Sequence, residues 1–314
     1  MSACYEEWAL GVAGDESVIA LIDRLPAAKR QPNLVFSAAR YLGAGVTDYA
    51  GFAGWLTARW QQVAAVCLSH ATQTNEPGRC ATLVPALASL GGPLSLIEVG
   101  ASAGLCLYPD LYAYRYRLGD GSQHLVHPGS EADTSGTRPP SFDCDVSGTV
   151  ALPESLPEVV WRAGIDLHPL HVSSAEDVAW LEALIWPEHD DRRTHLREAV
   201  AIARAHPVEL IAGDLLAEIE GLVARAPLGS TVVVFHTAVL AYLDEADRRT
   251  FSSTMAALDV AWLANEGQGV VPGVMERLRA RAISAPSTSD FVLAVDGEPI
   301  AFTQPHGRAM HGLP

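Results

Sequence analysis

Apolar side chains change their spacing at about residue 93. Before it they recur at three- and four-residue intervals, the period of a helix with one buried face. Pro32 to Leu42 forms one such segment, stopped by Gly43, and Asp48 to Leu68 aligns Phe52, Trp55, Leu56, Trp60, Val63 and Cys67 on one stripe. A third helix is predicted with Asn75 as its cap, Pro77 in its first turn, a stripe of Leu83, Val84, Leu87 and Leu90, and Gly91-Gly92-Pro93 as its stop. Beyond it, short apolar runs alternate with helical stripes, which predicts a parallel sheet with crossover helices. The strand candidates are Leu94 to Val99, Val159 to Leu167, Val208 to Ile211, Thr231 to Phe235, Val260 to Leu263, Phe291 to Val295 and Ile300 to Thr303. Asp296-Gly297-Glu298-Pro299 joins the last two as a hairpin. The stripes between strands include Val178, Leu181 and Leu184, then Leu196, Ala199 and Val200, then Phe251, Met255 and Leu258, with Asp244 and Pro272 as helix starts. The pattern therefore predicts an N-terminal helical domain over residues 1–92 and an α/β domain over 93–314.

One region breaks the alternation. Residues 110–157 are rich in Gly, Ser, Pro and Asp, and Tyr112, Tyr114, Tyr116 and Leu118 alternate into Gly119-Asp120-Gly121. This predicts one or two β-hairpins inserted after the first crossover helix, either a lid at the ligand edge of the sheet or a surface elaboration. The tyrosines favour packing.

Charge and cysteine content narrow the function. The chain has 314 residues, 49% of them hydrophobic, and a formal net charge of −16. That charge repels a phosphate backbone, so nucleic acid is not an expected partner. Lys29 is the sole lysine, which removes a Walker-type lysine after a glycine loop and disfavours Schiff-base chemistry. Cys4, Cys67, Cys80, Cys106 and Cys144 stand far apart without a C-x-x-C pair, and read as reduced thiols. No H-E-x-x-H or H-x-x-x-H spacing supports a metal. The apolar run Thr231 to Leu243 is too short to span a bilayer, and MSACYEEWAL lacks the order of a signal peptide, so a cytoplasmic protein is expected.

Candidate chemistry centres on LSLIEVGASAGL, Leu94 to Leu105, where an apolar run ends in Glu98 and breaks into small residues. Read as E-x-G-x-S-x-G, it is a strand entering a glycine-rich turn that opens a helix, with backbone N–H groups facing a ligand. Read as G-x-S-x-G, Gly100, Ala101, Ser102, Ala103 and Gly104 form a nucleophile elbow with Ser102 as a hydrolase nucleophile, completed by Asp214 or Asp244 and His306. An elbow follows several strands, and none is evident before Leu94. A buried Glu98 is also costly in a hydrolase strand. The final hairpin is expected to carry His306 away from the ligand edge and to leave Asp296 to Glu298 near it.

The order of strands, the acidic strand end and the terminal hairpin resemble a class I S-adenosylmethionine-dependent methyltransferase fold. More closely, the chain resembles a bacterial family of unknown function grouped with that fold. The resemblance runs through TQTNEPGRC (Thr72 to Cys80), LIEVGASAGL (Leu96 to Leu105), VVWRAGIDLHPL (Val159 to Leu170) and WPEHDDRRTHL (Trp186 to Leu196). It implies a Rossmann-like sheet and methyl transfer from S-adenosylmethionine to a small molecule. Gly100, Ala101, Ser102 and Gly104 would then approach the amino-acid end of the cofactor, and Glu98 would order the loop or meet the ammonium group. Asp166 would accept from the ribose hydroxyls and Asp214 from the adenine amino group, or both would cap turns and helices. His236, ending the fourth strand of the parallel alternation, is a candidate base or a satisfied core histidine. Glu76 and Arg79 lie near the same edge, where Arg79 would pair with a carboxylate of cofactor or substrate, or bond locally. A nucleotide-binding module without catalysis remains a third possibility.

Overall fold

The change in apolar spacing near residue 93 is a change from helices to a sheet. The computed structural model describes residues 2–129 and 139–314; the rest of the predicted insertion, 130–138, lies outside the described residues. In chain order these form α1 (Ala3–Ala13), α2 (Glu16–Ile22), α3 (Pro32–Tyr41), α4 (Tyr49–Ala58), α5 (Trp60–Ser69) and α6 (Cys80–Ser89). Then come β1 (Pro93–Val99), β2 (Ala113–Leu118), β3 (Gln123–Val126), β4 (Ser141–Gly148), β5 (Glu158–Asp166), α7 (Ala175–Leu184), α8 (Asp190–Ala205) and β6 (Glu209–Ala212). The chain ends with α9 (Leu215–Val223), β7 (Thr231–Thr237), α10 (Glu245–Ala257), β8 (Ala261–Gly267), α11 (Val274–Ala280), β9 (Phe291–Val295), β10 (Glu298–Thr303) and β11 (Ala309–Gly312). Two compact units result, Met1–Thr74 with His171–Arg197, and Asn75–Leu170 with Glu198–Pro314. The helix expected to close an N-terminal domain, α6, belongs to the sheet unit, and α7 to the helical one.

The helical unit is organised around aromatic rings. Trp8 stacks on Phe52 with centroids 4.0 Å apart, and Phe36 meets both edge-on. The Trp8 indole N–H donates to Thr47 O at 2.9 Å, so its one polar group is satisfied. The segment from Asp48 to Leu68 forms two helices instead of the one expected, because Arg59 leaves helical geometry at φ −120°. The stripe survives the break: Phe52, Leu56, Trp60, Val63 and Cys67 are all buried.

In the sheet unit the strands lie in the order β3-β2-β4-β11-β10-β9-β8-β7-β1-β5-β6. From β6 to β8 all neighbours are parallel. The predicted strand candidates each appear, and β1 is the first strand among the described residues. One face of the sheet buries Ile97, Val99, Ile165, Val234, Ala264 and Phe302 against Ile219, Leu222, Phe251, Met255 and Leu278 from α9, α10 and α11. Side chains alternate along a strand, so Leu96, Glu98, Phe235 and Asn265 occupy the opposite face. There α6 is buried from Cys80 to Leu87 and Thr82 meets Asn265.

Two expectations change. No α-helix follows the glycine-rich turn among the described residues; a 3-10 turn, Leu105–Leu107, ends at Tyr108 with φ −116° and ψ 41°. Pro109 disfavours helical geometry at the residue before it, and the chain leaves towards β2. The described residues of the insertion build sheet. β4 pairs with β11, β2 with β4 and β3 with β2, so the segment extends the sheet. Tyr112, Tyr114 and Tyr116 are fully buried, their hydroxyls donating to Leu105 O, Pro109 O and Ala81 O. The alternating Arg115 and Arg117 pair with Asp143 and Asp145.

Candidate functional site

The glycine-rich pentad is a tight turn packed against its neighbours. Gly100 has φ +68°, and a Cβ there would stand 2.4 Å from Val239 Cγ2. Gly104 takes φ +72°, Ser102 φ 52°, and a Cβ on Gly164 would meet Ala101 Cβ at 2.6 Å. The backbone N–H groups expected to face a ligand are turned inward. Gly100 and Ala101 donate to Ile165 O at 2.8 and 3.0 Å, Ser102 to Asp166 Oδ2 at 2.8 Å, and Gly104 to Ala101 O at 2.7 Å. Leu105 N donates to Asn75 Oδ1 at 2.8 Å. Asn75, expected as a helix cap, therefore pins the turn from 30 residues away.

On the α6 face, Glu98 closes β1 and is 2% exposed, with no hydrogen-bond partner for Oε2. Burial pushes its carboxyl well above the usual range, Cys106 adds to the push, and the charge of Arg79 opposes it. Arg79 is 8% exposed and bonds far from its own turn. Its Nε donates to Pro305 O at 2.8 Å, and its Nη1 to Thr237 O at 2.9 Å and Thr237 Oγ1 at 3.1 Å. Glu76 is also buried, and its Oε1 accepts from Gly78 N at 3.1 Å. Around them runs a chain of neutral polar groups: Thr303 Oγ1 donates to Asn265 Oδ1 at 2.7 Å, and Thr82 Oγ1 to Arg79 O at 2.9 Å. The Cys106 thiol donates to Glu76 O at 3.4 Å; its bond with Cys80, then burial, pushes it well above the usual thiol range.

The opposite face holds His236. Glu266 Oε1 accepts from His236 Nδ1 at 2.7 Å, from Val239 N at 2.8 Å and from Leu240 N at 3.0 Å. Trp262 Nε1, which can only donate, bonds His236 Nε2 at 2.9 Å. Both ring nitrogens are thus engaged and the ring is fully buried. As placed, His236 ties the loop after β7 to β8 and offers no nitrogen to a substrate.

The other predicted groups are spread along the edge. Asp166 accepts from Ser102 N on one carboxylate oxygen and from His168 N on the other, at 2.8 Å each. Asp214 is an exposed cap on α9, accepting from Leu216 N, and Asp244 caps α10 through Asp247 N. His306 stands where the expected topology did not put it. Because β9 runs antiparallel to β8 and β10 reverses again, the turn after β10 returns to the carboxyl edge of the parallel strands. There Gly307, at φ +75°, packs on Gly78, and a Cβ on Gly78 would meet His306 O at 3.0 Å. Asp296 lies at the other end of β8, where its Oδ1 accepts from Trp262 N.

Thr237, Asn265, Glu266 and Cys106 escaped the sequence argument. For Asn265-Glu266 the signal is present: an amide and an acid directly follow the apolar Ala261 to Ala264, the pattern that marks Glu98. Among the described residues no group of three or more His, Cys, Asp or Glu side chains is arranged for a metal, and no helix is long and apolar enough to cross a membrane. No curated protein and no solved structure matches the chain. A family model matches residues 1–311, and the chain belongs to that family, described as an uncharacterized protein conserved in bacteria (DUF2332).

Proposed function

We propose that the protein is a methyltransferase-like enzyme that binds S-adenosylmethionine at the carboxyl edge of β1 and β5 and methylates a small molecule. The observation that carries this reading is the parallel order β6-β5-β1-β7-β8. Doubly wound sheets hold ligands where strand order reverses, which here is beside β1. The acids Glu98 and Asp166 close the two adjacent strands at that edge.

The donor set discriminates among nucleotide ligands. A pyrophosphate is held by free backbone N–H groups at a helix N-terminus. Here the turn's amides are bonded within the protein and only a 3-10 turn follows. A sulfonium cofactor with a ribose diol needs acceptors instead, and an acidic edge supplies them. In this reading Asp166, at the end of β5, would accept from the ribose hydroxyls. Glu98, with its unpartnered Oε2, and Arg79 would meet the amino-acid end, while Asp214 lies beyond β6, on the side assigned to adenine.

When bound, the cofactor supplies an electrophilic methyl group, so the chain's own task is alignment and exclusion of water. With His236 engaged at both nitrogens, the reading requires no base from that residue. Calorimetric titration of the full chain with S-adenosylhomocysteine tests the proposal. Saturable binding in the micromolar range is expected; absence of heat at millimolar ligand overturns it.

A further inference from the structure

We propose that Arg79 and Glu98 form a receptor for one ligand carboxylate. The inference deepens the function proposed above and rests on it only where the carboxylate belongs to the cofactor. Arg79 is a permanent cation that is 8% exposed, yet its bonds go to neutral acceptors: two backbone carbonyls and the Thr237 hydroxyl. Nη2 takes part in none of them. A buried charge without a counter-ion is destabilising, and a ligand anion is the natural remedy. Arg79 acts on the carboxyl of Glu98, which is itself buried and has Oε2 unpartnered.

Glu98 does not serve as the counter-ion, because burial holds its proton on. In that form it is a donor. Glu98 pairs with Phe235 on β7, two residues before the Thr237 that holds the Arg79 guanidinium, so a charge and a carboxylic O–H on adjacent strands are offered to an incoming carboxylate. Ionised Glu98 would repel the same ligand. The groups acting on Glu98 are Arg79 before α6, Cys106 in the 3-10 turn after the pentad and Asp166 at the end of β5. Tyr108 and Tyr112 feel its charge in turn. Burial raises both tyrosines, the Cys80 bond and burial raise Cys106, and all three stay protonated up to about pH 8.5. Affinity for a carboxylate therefore falls as pH rises through the elevated Glu98 value.

Two sources carry this chemistry, the amino-acid end of the cofactor and an acidic substrate. Calorimetry on the full chain separates them with S-adenosylhomocysteine, with 5′-methylthioadenosine, which lacks the amino-acid end, and with benzoate. These are run on the wild type, Arg79→Gln and Glu98→Gln over a pH series that stops at about pH 8.5, below the range in which Cys106, Tyr108 and Tyr112 ionise. If the cofactor supplies the group, Arg79→Gln weakens S-adenosylhomocysteine tenfold or more and leaves 5′-methylthioadenosine within twofold. If a substrate supplies it, benzoate alone shows that loss. In both cases Glu98→Gln, whose amide donates at every pH, retains binding at the start of the series and removes whatever decline the wild type shows along it. Should Arg79→Gln fail to fold, the pH profile of Glu98→Gln against wild type decides. The receptor falls if both carboxylate probes bind Arg79→Gln as well as wild type, if neither binds any form, or if the two pH profiles coincide. Benzoate binding that depends on Arg79 without any S-adenosylhomocysteine binding keeps the receptor and removes the methyltransferase reading. S-adenosylhomocysteine binding that is independent of Arg79, with no Arg79-dependent binding of benzoate, does the reverse.

Discussion

Gly100 illustrates how a residue chosen for packing can look like one chosen for a ligand. Its φ of +68° places it in the region where a side chain is strained, and Val239 occupies the space a Cβ would need. Gly100→Ala is therefore expected to cost at least about 2 kcal/mol, from the left-handed backbone and the displaced valine together. Thermal unfolding of the two proteins checks it, and equal melting temperatures would refute the packing account. The same logic explains why the pentad misleads. G-x-S-x-G specifies small residues and permissive backbone, but the number of its amides left for a ligand depends on Ile165, Asp166 and Asn75, far off in sequence.

At the scale of elements, the positions of strands follow from local pattern and their neighbours do not. Phe291 to Val295 is legible to the residue because an apolar run is bounded by turn signals on both sides. β11 was missed: AMHG has little apolar content, and its pairing with β10 and β4 compensates. The single helix expected over Asp48 to Leu68 divides at Arg59, which no Gly or Pro announces. Arg162 on β5 ties that strand to the chain leaving the pentad, through paired 2.9 Å bonds to Asp110 and a 3.0 Å bond to Leu107 O. Burial raises the Asp110 carboxyl to about 6 against the opposing pull of Arg162. Arg162→Met removes that pull, so the folded value climbs further above the unfolded one. The neutral form then carries the fold, and stability declines as pH rises through the new value. The substitution is expected to cost about 3 kcal/mol near pH 8, where Asp110 is left charged and unpaired or must take up a proton, and clearly less near pH 5. Urea unfolding at both pH values measures the difference; an equal cost at both would show that Asp110 does not titrate as argued.

For the whole molecule, charge sets the simplest expectation. A formal net charge of −16 with a sequence pI near 5.0 opposes approach to a polyanion, so no retardation of duplex DNA is expected in an electrophoretic assay even at low salt. A shifted band that disappears with added salt would contradict it. Unaided, the chain's apolar periodicity determined the helical start, the alternating β/α body, its hairpin and the acids at the ends of β1 and β5, because spacing along a chain dictates which face of an element is buried. It also placed Arg79 and Glu76 near the first strand. Only the tertiary structure decided which of these groups are available for chemistry. His236 is satisfied by Glu266 and Trp262, and Asp214 is an exposed cap. His306 is brought to the edge by the double reversal of β9 and β10, and Arg79 is drawn to Thr237 and Pro305. The reason is physical: burial and hydrogen-bond satisfaction are set by partners up to 226 residues apart, and no local pattern encodes which partner a polar group will find.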